Sequence, residues 1–380
     1  MLFPIIERDT AGSIKTITIP RPSNFHVHFR LDDIMEAVAP EIMRCFKYVL
    51  AMPNNGYGDG GIIRSLADAY RIYHQLMDIR ARRGLYALTS VILTLYDTKD
   101  VTPAVVEEIA RVRIVGGVKN YPGHGGTTNS GHGRPFDEDD EIARAFIEHG
   151  VRRLFHAEDV VDLYNRPLDH KDREAHCITH RLRKFRDKHH GLYCVEHAST
   201  REAIDFVKED ASGMTVMTVT PQHLLFTVED FERYSWKNHL KCMPIVKSEE
   251  DRQALIEFAV SGDRRAFAGD DTAPHLAGTK DRPFDECASG CYLPHSVALY
   301  ALVFMRANAL DERFVNFMCY NGPDWWGLRR PSDDDTITIR VAQPGEQDIP
   351  DPTPVPALGD VIIPLGWTTE NDKYPVGLIA

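Results

Sequence analysis

His26 and His28 stand one residue apart in Asn24-Phe25-His26-Val27-His28-Phe29-Arg30, and imidazole is the commonest protein ligand for metal ions. If this run is a strand, residues two apart face the same way and the pair can present two imidazoles to one ion. The pairing alone is weak evidence, because histidine pairs also occur on ordinary surfaces. Further residues able to join such a site follow along the chain: Lys119, His156, His197 and Asp271. Each also has an ordinary reading. His156 and His197 suit hydrogen-bonded core or rim positions, Lys119 a surface amine, and Asp271 a helix cap. What separates the readings is the set of elements that carries them.

Strand-like runs recur near Phe25–His28, Tyr48–Met52, Ala87–Leu95, Gly117–Lys119, Arg153–His156, Tyr193–Glu196, Thr215–Val219 and Ala266–Gly269. The His-x-His run is read as the first of them. Between them lie amphipathic stretches: Ile62–Arg83, Pro103–Val112, Asp137–His149, Lys171–His189, Thr200–Glu209 and Glu249–Val260. Strands alternating with helices predict a parallel sheet, and eight such units predict an α/β fold of the (β/α)8 TIM-barrel type. The candidate ligands then fall at the C-terminal ends of predicted strands, where barrel active sites are built. Six ordinary explanations at one end of a barrel become improbable together. Residues 1–330 are expected to form the barrel. Residues 331–380, with Pro331-Ser332-Asp333-Asp334-Asp335 and a proline-rich run from Pro344 to Pro364, read as an irregular C-terminal extension packed on it. Short strands fit Thr336–Val341 and Val361–Pro364.

The lysine needs its own chemistry, since an ammonium has no lone pair to give. Burial and nearby cations lower a lysine pKa, and a neutral amine can take up carbon dioxide to become a carbamate, a bidentate anion able to bridge two metals. Two divalent ions sharing such a carbamate supply a hydroxide nucleophile at neutral pH.

Composition excludes several classes. The 380 residues carry 43% hydrophobic and 26% charged side chains and a net charge of −12, with no basic block to track a phosphate backbone, so nucleic acid is not an expected partner. No apolar run approaches the roughly 18 residues that span a bilayer, and the start lacks a signal-peptide pattern, so a cytoplasmic location is the default expectation. The seven cysteines, at 45, 177, 194, 242, 287, 291 and 319, are scattered without CxxC pairs and read as reduced thiols. Cys287 and Cys291 have ligand chemistry but no second pair, which favours a structural role.

Ten motifs, the His-x-His run first among them, stand in order: His26-x-His28-x-Arg30, Met52-Pro53-Asn54, Lys119-Asn120-Tyr121-Pro122, Thr127-Thr128-Asn129-Ser130, Phe155-His156-Ala157-Glu158, Val195-Glu196-His197, Thr220-Pro221-Gln222-His223, Cys242-Met243-Pro244-Ile245, Asp271-Thr272-Ala273-Pro274-His275 and Asn321-Gly322-Pro323. With them the chain, from about Arg21 to Leu328, resembles the type II, monofunctional bacterial dihydroorotases of the amidohydrolase superfamily. The resemblance implies a reversible cyclisation of N-carbamoyl-L-aspartate to L-dihydroorotate in pyrimidine synthesis, with two zinc ions per chain and no redox cofactor. It implies that His26, His28 and Asp271 bind the more buried zinc, His156 and His197 the other, and carboxylated Lys119 both. Arg30, Asn54 and His275 would hold the substrate carboxylate, Met243, Ala273 and Ala288 would line the ring or ureido edge, and Thr127 and Thr128 would sit on a covering loop between Gly123 and Gly133. Asp271 would be the catalytic residue that moves the proton. A homodimer is the implied assembly.

Two other readings are weighed against it. A related enzyme for a neutral cyclic amide, such as a hydantoin, would not need Arg30, Asn54 and His275 together. A non-catalytic barrel serving as a binding partner would be expected to have lost metal ligands, and none is lost. The chain also departs from the pattern. Leu31 stands where an Asp is frequent, and the Gly123–Gly126 stretch carries an extra residue. The Cys287–Cys291 stretch is lengthened, which loosens the assignment of Ala288. Asp270 precedes Asp271 where a hydroxyl residue is common, and its charge is expected to raise the pKa of Asp271.

Overall fold

The computed structural model describes residues 3–56, 61–85, 89–121, 127, 130–137 and 139–380. Strands β1 (Ile5–Arg8) and β2 (Ile14–Pro20) come first. Eight parallel strands follow: β3 (Asn24–Val27), β4 (Tyr48–Ala51), β5 (Ser90–Tyr96), β6 (Val115–Asn120), β7 (Arg152–Phe155), β8 (Tyr193–Val195), β9 (Thr215–Val219) and β10 (Ala266–Ala268). They pair in sequence order, and β10 comes back beside β3, so the sheet curls into a nearly closed barrel.

Every residue of β9, Thr-Val-Met-Thr-Val, is buried, as expected where one face meets the barrel interior and the other meets helices. The connecting helices start where the sequence supplies caps. The hydroxyls of Ser65, Thr102, Thr200 and Ser248 each accept the backbone N–H three residues on, and the Asp139 carboxylate does the same for Glu141 and Ile142. Phe25, Leu50, Ile92, Leu154, Cys194, Val216 and Phe267, one from each of seven strands, form an inner cluster against Trp326, whose ring stacks on Phe25. A side chain at position 116 would meet the Trp326 ring at 2.7 Å, which is why β6 has glycine there. This apolar plug fills one end of the barrel and leaves polar chemistry to the other.

The seam between β10 and β3 is closed above the strands. The Asp271 N–H donates to the His26 carbonyl at 3.0 Å, the His28 N–H to the Thr272 carbonyl at 2.9 Å, and the Asp270 N–H to the Asn24 side-chain oxygen at 3.0 Å. Closing the barrel therefore brings Asp271 to the two histidines.

The other strands form a sheet outside the barrel. β11 (Thr336–Val341) pairs antiparallel with β2, Thr336 opposite Pro20 and Ile339 opposite Ile17, and the sheet order is β1, β2, β11, then β14 (Leu378–Ile379). β12 (Thr353–Val355) and β13 (Asp360–Ile362) make a hairpin. The expected short strands of the tail are thus present, and the first is a central strand joining the two ends of the chain. Two strands precede the His-x-His run, correcting its reading as the first. The alternation Ile14-Lys15-Thr16-Ile17-Thr18-Ile19, with Ile17 and Ile19 fully buried, is the missed signal. The helical run expected over Lys171–His189 is present from Arg173 to Lys188, with a π turn at Ile178–Leu182. No described helix is long and apolar enough to cross a membrane.

Candidate functional site

Atoms of His26, His28 and Asp271 that can ligate a metal lie within 4.8 Å of one another, and all three residues are buried. The His26 Nε2 is 3.2 Å and the His28 Nε2 3.5 Å from the same Asp271 oxygen, Oδ1. Their other ring nitrogens are engaged. The His28 Nδ1 donates to the Asn54 carbonyl at 2.6 Å, and the His26 Nδ1 contacts Glu196, whose Oε2 also accepts the Thr218 hydroxyl at 3.0 Å. A carbonyl can only accept, so Nδ1 carries the proton of His28 and leaves the Nε2 lone pair facing Asp271.

Burial brings the His28 pKa down to about 4, which keeps the imidazole neutral. Burial and Lys119 act against charge on His26 as well, but Glu196 and Asp271 on either side outweigh them and raise its pKa. The place between these groups thus favours a positive charge. Burial pushes the Asp271 carboxyl up, yet His26 and the other imidazoles hold it well below the usual carboxylate range. The charge of Asp270 does not decide the pKa of Asp271, whose net shift is downward. Burial lifts Asp270 itself to about 6, with Asp271 adding to the shift, while the histidines dominate around Asp271.

His156 and His197 meet next to this group, with the His156 Nδ1 3.0 Å from the His197 Nε2 and the His26 and His197 ring centroids 5.0 Å apart. The far nitrogen of His156 bonds to the buried carboxylate of Glu158 at 2.9 Å. Burial lowers the pKa of both rings, so each is neutral. Lys119, on β6, is fully buried, and its Nζ finds no hydrogen-bond partner among the described residues, lying 5.4 Å from the Tyr121 ring centroid. Burial brings its pKa down to about 8 against the pull of Glu196 and Asp271. A buried amine without a partner is costly.

These groups open on a cavity of about 310 Å³. His28, His156, His197 and Asp271 form its floor, with Arg30, Asn54 and His275 on one side and Met243, Ala273 and Ala288 also on the wall. The Arg30 Nε donates to the Pro274 carbonyl at 2.9 Å, and an Arg30 terminal nitrogen lies 2.9 Å from the His275 Nε2. β3 stops at Val27, and Arg30 reaches the cavity through a left-handed backbone, φ 62°. His197 and Asp271 also have positive φ, 41° and 53°, an uncommon conformation for side-chain-bearing residues that collects at functional sites. The Ala288 backbone is engaged on both sides, its N–H donating to the Thr279 carbonyl at 3.1 Å and its carbonyl accepting from the Lys280 ammonium at 2.8 Å. Thr127 lines the cavity, whereas Thr128 and most of the Gly123–Gly133 loop lie outside the described residues.

Sequence reading gave no role to Glu196, Glu158, Tyr121, Glu286 or Ser289. The first two orient ligand-capable histidines, and the last three line the cavity. Glu196 and Glu158 stood within quoted motifs, one and two residues from a histidine, but pairing across the barrel, as between Glu196 and His26, has no sequence signal.

A protein named dihydroorotase from a Picosynechococcus species is 33% identical over 373 residues, covering 97% of this chain and 100% of its own. The chain belongs to the dihydroorotase family. Dihydroorotases are cyclic amidohydrolases of pyrimidine biosynthesis, and the fold agrees. The crystal structure of dihydroorotase from Saccharomyces cerevisiae, in complex with 5-fluoroorotic acid, matches with a TM-score of 0.79 at 25% identity, over 92% of this chain and 95% of that one. The L-hydantoinase of Arthrobacter aurescens shares the fold at a TM-score of 0.67 and 17% identity, over 86% of this chain and 76% of that one. No protein-family model matches the chain. For a dihydroorotase, the buried His26, His28 and Asp271 are the group that can hold a metal ion.

Proposed function

We propose that the chain interconverts L-dihydroorotate and N-carbamoyl-L-aspartate at a binuclear centre held by His26, His28, Asp271, His156, His197 and an N6-carboxylated Lys119. The observation that carries the substrate reading is the Arg30–His275 pair, 2.9 Å apart, in the same cavity as the His26, His28 and Asp271 group. A guanidinium beside a neutral imidazole and the Asn54 side chain suits one carboxylate, which a neutral ring lacks.

The donor set fits the metals. The facing imidazoles of His156 and His197, the orphaned Nζ of Lys119 and the shared oxygen of Asp271 are what a pair of divalent cations and a carbamate would satisfy. When bound, such ions polarise the ring amide carbonyl and activate water at neutral pH. Glu196 and Glu158 fix which nitrogen His26 and His156 present. Arg30, Asn54 and His275 hold the carboxylate and so aim the opposite ring bond at the cavity floor. Asp271, ionised and facing the cavity, accepts the proton released in the attack and returns it to the ring nitrogen as the bond breaks. Thr127 and Thr128 cover the substrate and exclude water.

A cytoplasmic location is supported by seven cysteines that are all free thiols. The homodimer rests on the family resemblance, and sedimentation at equilibrium measures it. Hydrolysis of L-dihydroorotate, assayed with metal analysis on the same sample, tests the function. Turnover with about two zinc ions per chain is the expected result, and absence of turnover in a metal-replete sample would contradict it.

A further inference from the structure

Two lysines behind the cavity wall are buried, and among the described residues no carboxylate pairs with either of them. Lys280 is 2% and Lys241 7% exposed. Every hydrogen bond recorded for the two ammonium groups goes to a backbone carbonyl. Lys241 donates to Phe284 and, at 3.1 Å, to Cys287; Lys280 donates to Ala288 at 2.8 Å and to Lys241 at 3.4 Å. The groups whose charge acts most on Lys280 are the thiols of Cys291, Cys287 and Cys242 and the Lys241 ammonium, and the His239 and His275 rings feel its charge in turn. Burying an ammonium without a counter-ion is costly, and an apolar side chain would fill the same space more stably. The arrangement therefore asks for a gain elsewhere.

The carbonyls show where that gain lies. Phe284, Cys287 and Ala288 belong to the stretch that continues through Ser289 and Gly290 and forms one side of the substrate cavity. The same stretch is tied from its N–H side, with Gly290 donating to the Lys241 carbonyl at 2.8 Å and Ala288 to Thr279 at 3.1 Å. Asn238 adds two bonds of 2.8 Å to the carbonyls of Lys280 and Arg282. The stretch has no helix or strand of its own to hold it, apart from a single bridge at Cys291. The Ser289 carbonyl at its centre lies 2.9 Å from the His275 Nε2 that also meets Arg30.

We propose that Lys241 and Lys280 are positioning residues, a buried two-ammonium clamp that fixes residues 284–290 as a preformed wall for the anionic substrate and, through Ser289, sets His275 beside Arg30. The proposal rests on the dihydroorotase reading for its substrate but not for its geometry. Charge-assisted bonds to carbonyls are stronger than neutral ones, so two lysines can hold an irregular segment that neutral side chains would leave loose.

The test uses the metal-loaded full chain and Lys280→Met and Lys241→Met, which remove the ammonium and keep an unbranched stem. KM for L-dihydroorotate is expected to rise at least ~10-fold in either variant, the effect of losing one hydrogen bond to a charged group, while kcat changes less than KM and zinc per chain stays at the wild-type value. Hydrogen exchange of the 284–291 amides is expected to speed up by about the same factor, with exchange in β9 unchanged. A variant with full metal that keeps the wild-type KM, or the wild-type exchange rate over 284–291, overturns the clamp. Should neither variant fold, exchange in the wild-type enzyme without substrate decides. Slow exchange at Ala288 and Gly290 supports a preformed wall, and exchange at the rate of an open loop overturns it. If the wild type does not turn over dihydroorotate, the substrate reading fails, and the exchange measurement still judges the clamp.

Discussion

At the scale of single residues, Lys119 is the most informative side chain. A fully buried amine with no hydrogen-bond partner among the described residues and a pKa brought down to about 8 by burial is poised to lose its proton, which carbamate formation requires. Lys119→Ala should remove most bound zinc and turnover together, and small carboxylic acids should restore part of both. Full metal content with normal turnover in that variant would exclude the carbamate. Asp271 and Asp270 make a second comparison. Asp271 shares its oxygen with two histidines and lines the cavity, whereas the Asp270 carboxylate accepts the Thr272 N–H at 2.9 Å. Asp271→Ala should lower kcat by about 10²–10⁴, the usual worth of a general acid or base, and Asp270→Ala far less. The reverse order would move the proton-transfer role by one residue. Types and spacing made the histidines, Lys119 and Asp271 legible because each follows or ends a strand in the same layer. Glu196 was not legible as the partner of His26, since a carboxylate that orients a histidine across a barrel leaves no local pattern, whereas Glu158 stands two residues from the His156 it orients.

At the scale of elements, the barrel strands were legible because buried β-branched runs alternate with capped amphipathic helices. What escaped was structure without periodicity. The helix Ser296–Arg306 is apolar on almost every face, so no amphipathic stripe announces it, and β1 and β2 lie outside the repeating unit. The way Arg30, His197 and Asp271 enter the cavity was also hidden, because left-handed backbone at residues with side chains is set by the barrel seam and not by local preference. The wall at 284–290 makes the element-scale prediction. Gly290 has φ 142°, and a Cβ there would lie 2.6 Å from the Ala273 carbonyl oxygen and 3.1 Å from the His275 ring. Overpacking of this kind costs about 1–3 kcal/mol. Gly290→Ala should therefore raise KM for dihydroorotate by about 5–150-fold, as that energy converts, with bound zinc unchanged. An unaltered KM would show that the wall tolerates displacement.

At the scale of the whole molecule, stability and turnover depend on different buried charges. Glu174 is fully buried and accepts the Ser199 N–H at 2.9 Å and the Ser199 hydroxyl at 2.7 Å, just beyond His197. Burial raises its pKa from 4.5 to about 7, against the opposing pull of Lys247 and Ser199. Because the folded value lies above the unfolded one, its contribution to stability is fully present below about pH 4.5 and is lost as the pH rises through about 7. The melting temperature of the wild type should fall relative to Glu174→Gln across that window, and parallel curves would contradict it. The joining of β2 to β11 was legible only in part, since the tail's strand could be read but its partner at the other end of the chain could not. The central claim is that the cavity is built for a cyclic amide bearing a carboxylate, and Arg30 is the residue on which that turns. The most direct test compares the wild type and Arg30→Met on L-dihydroorotate and on dihydrouracil at equal metal content. The account predicts that the wild type prefers dihydroorotate and that Arg30→Met loses about 10–150-fold in kcat/KM for it, from about 1.5–3 kcal/mol, with little change for dihydrouracil. A wild-type preference for dihydrouracil, or an equal loss on both rings, would contradict it.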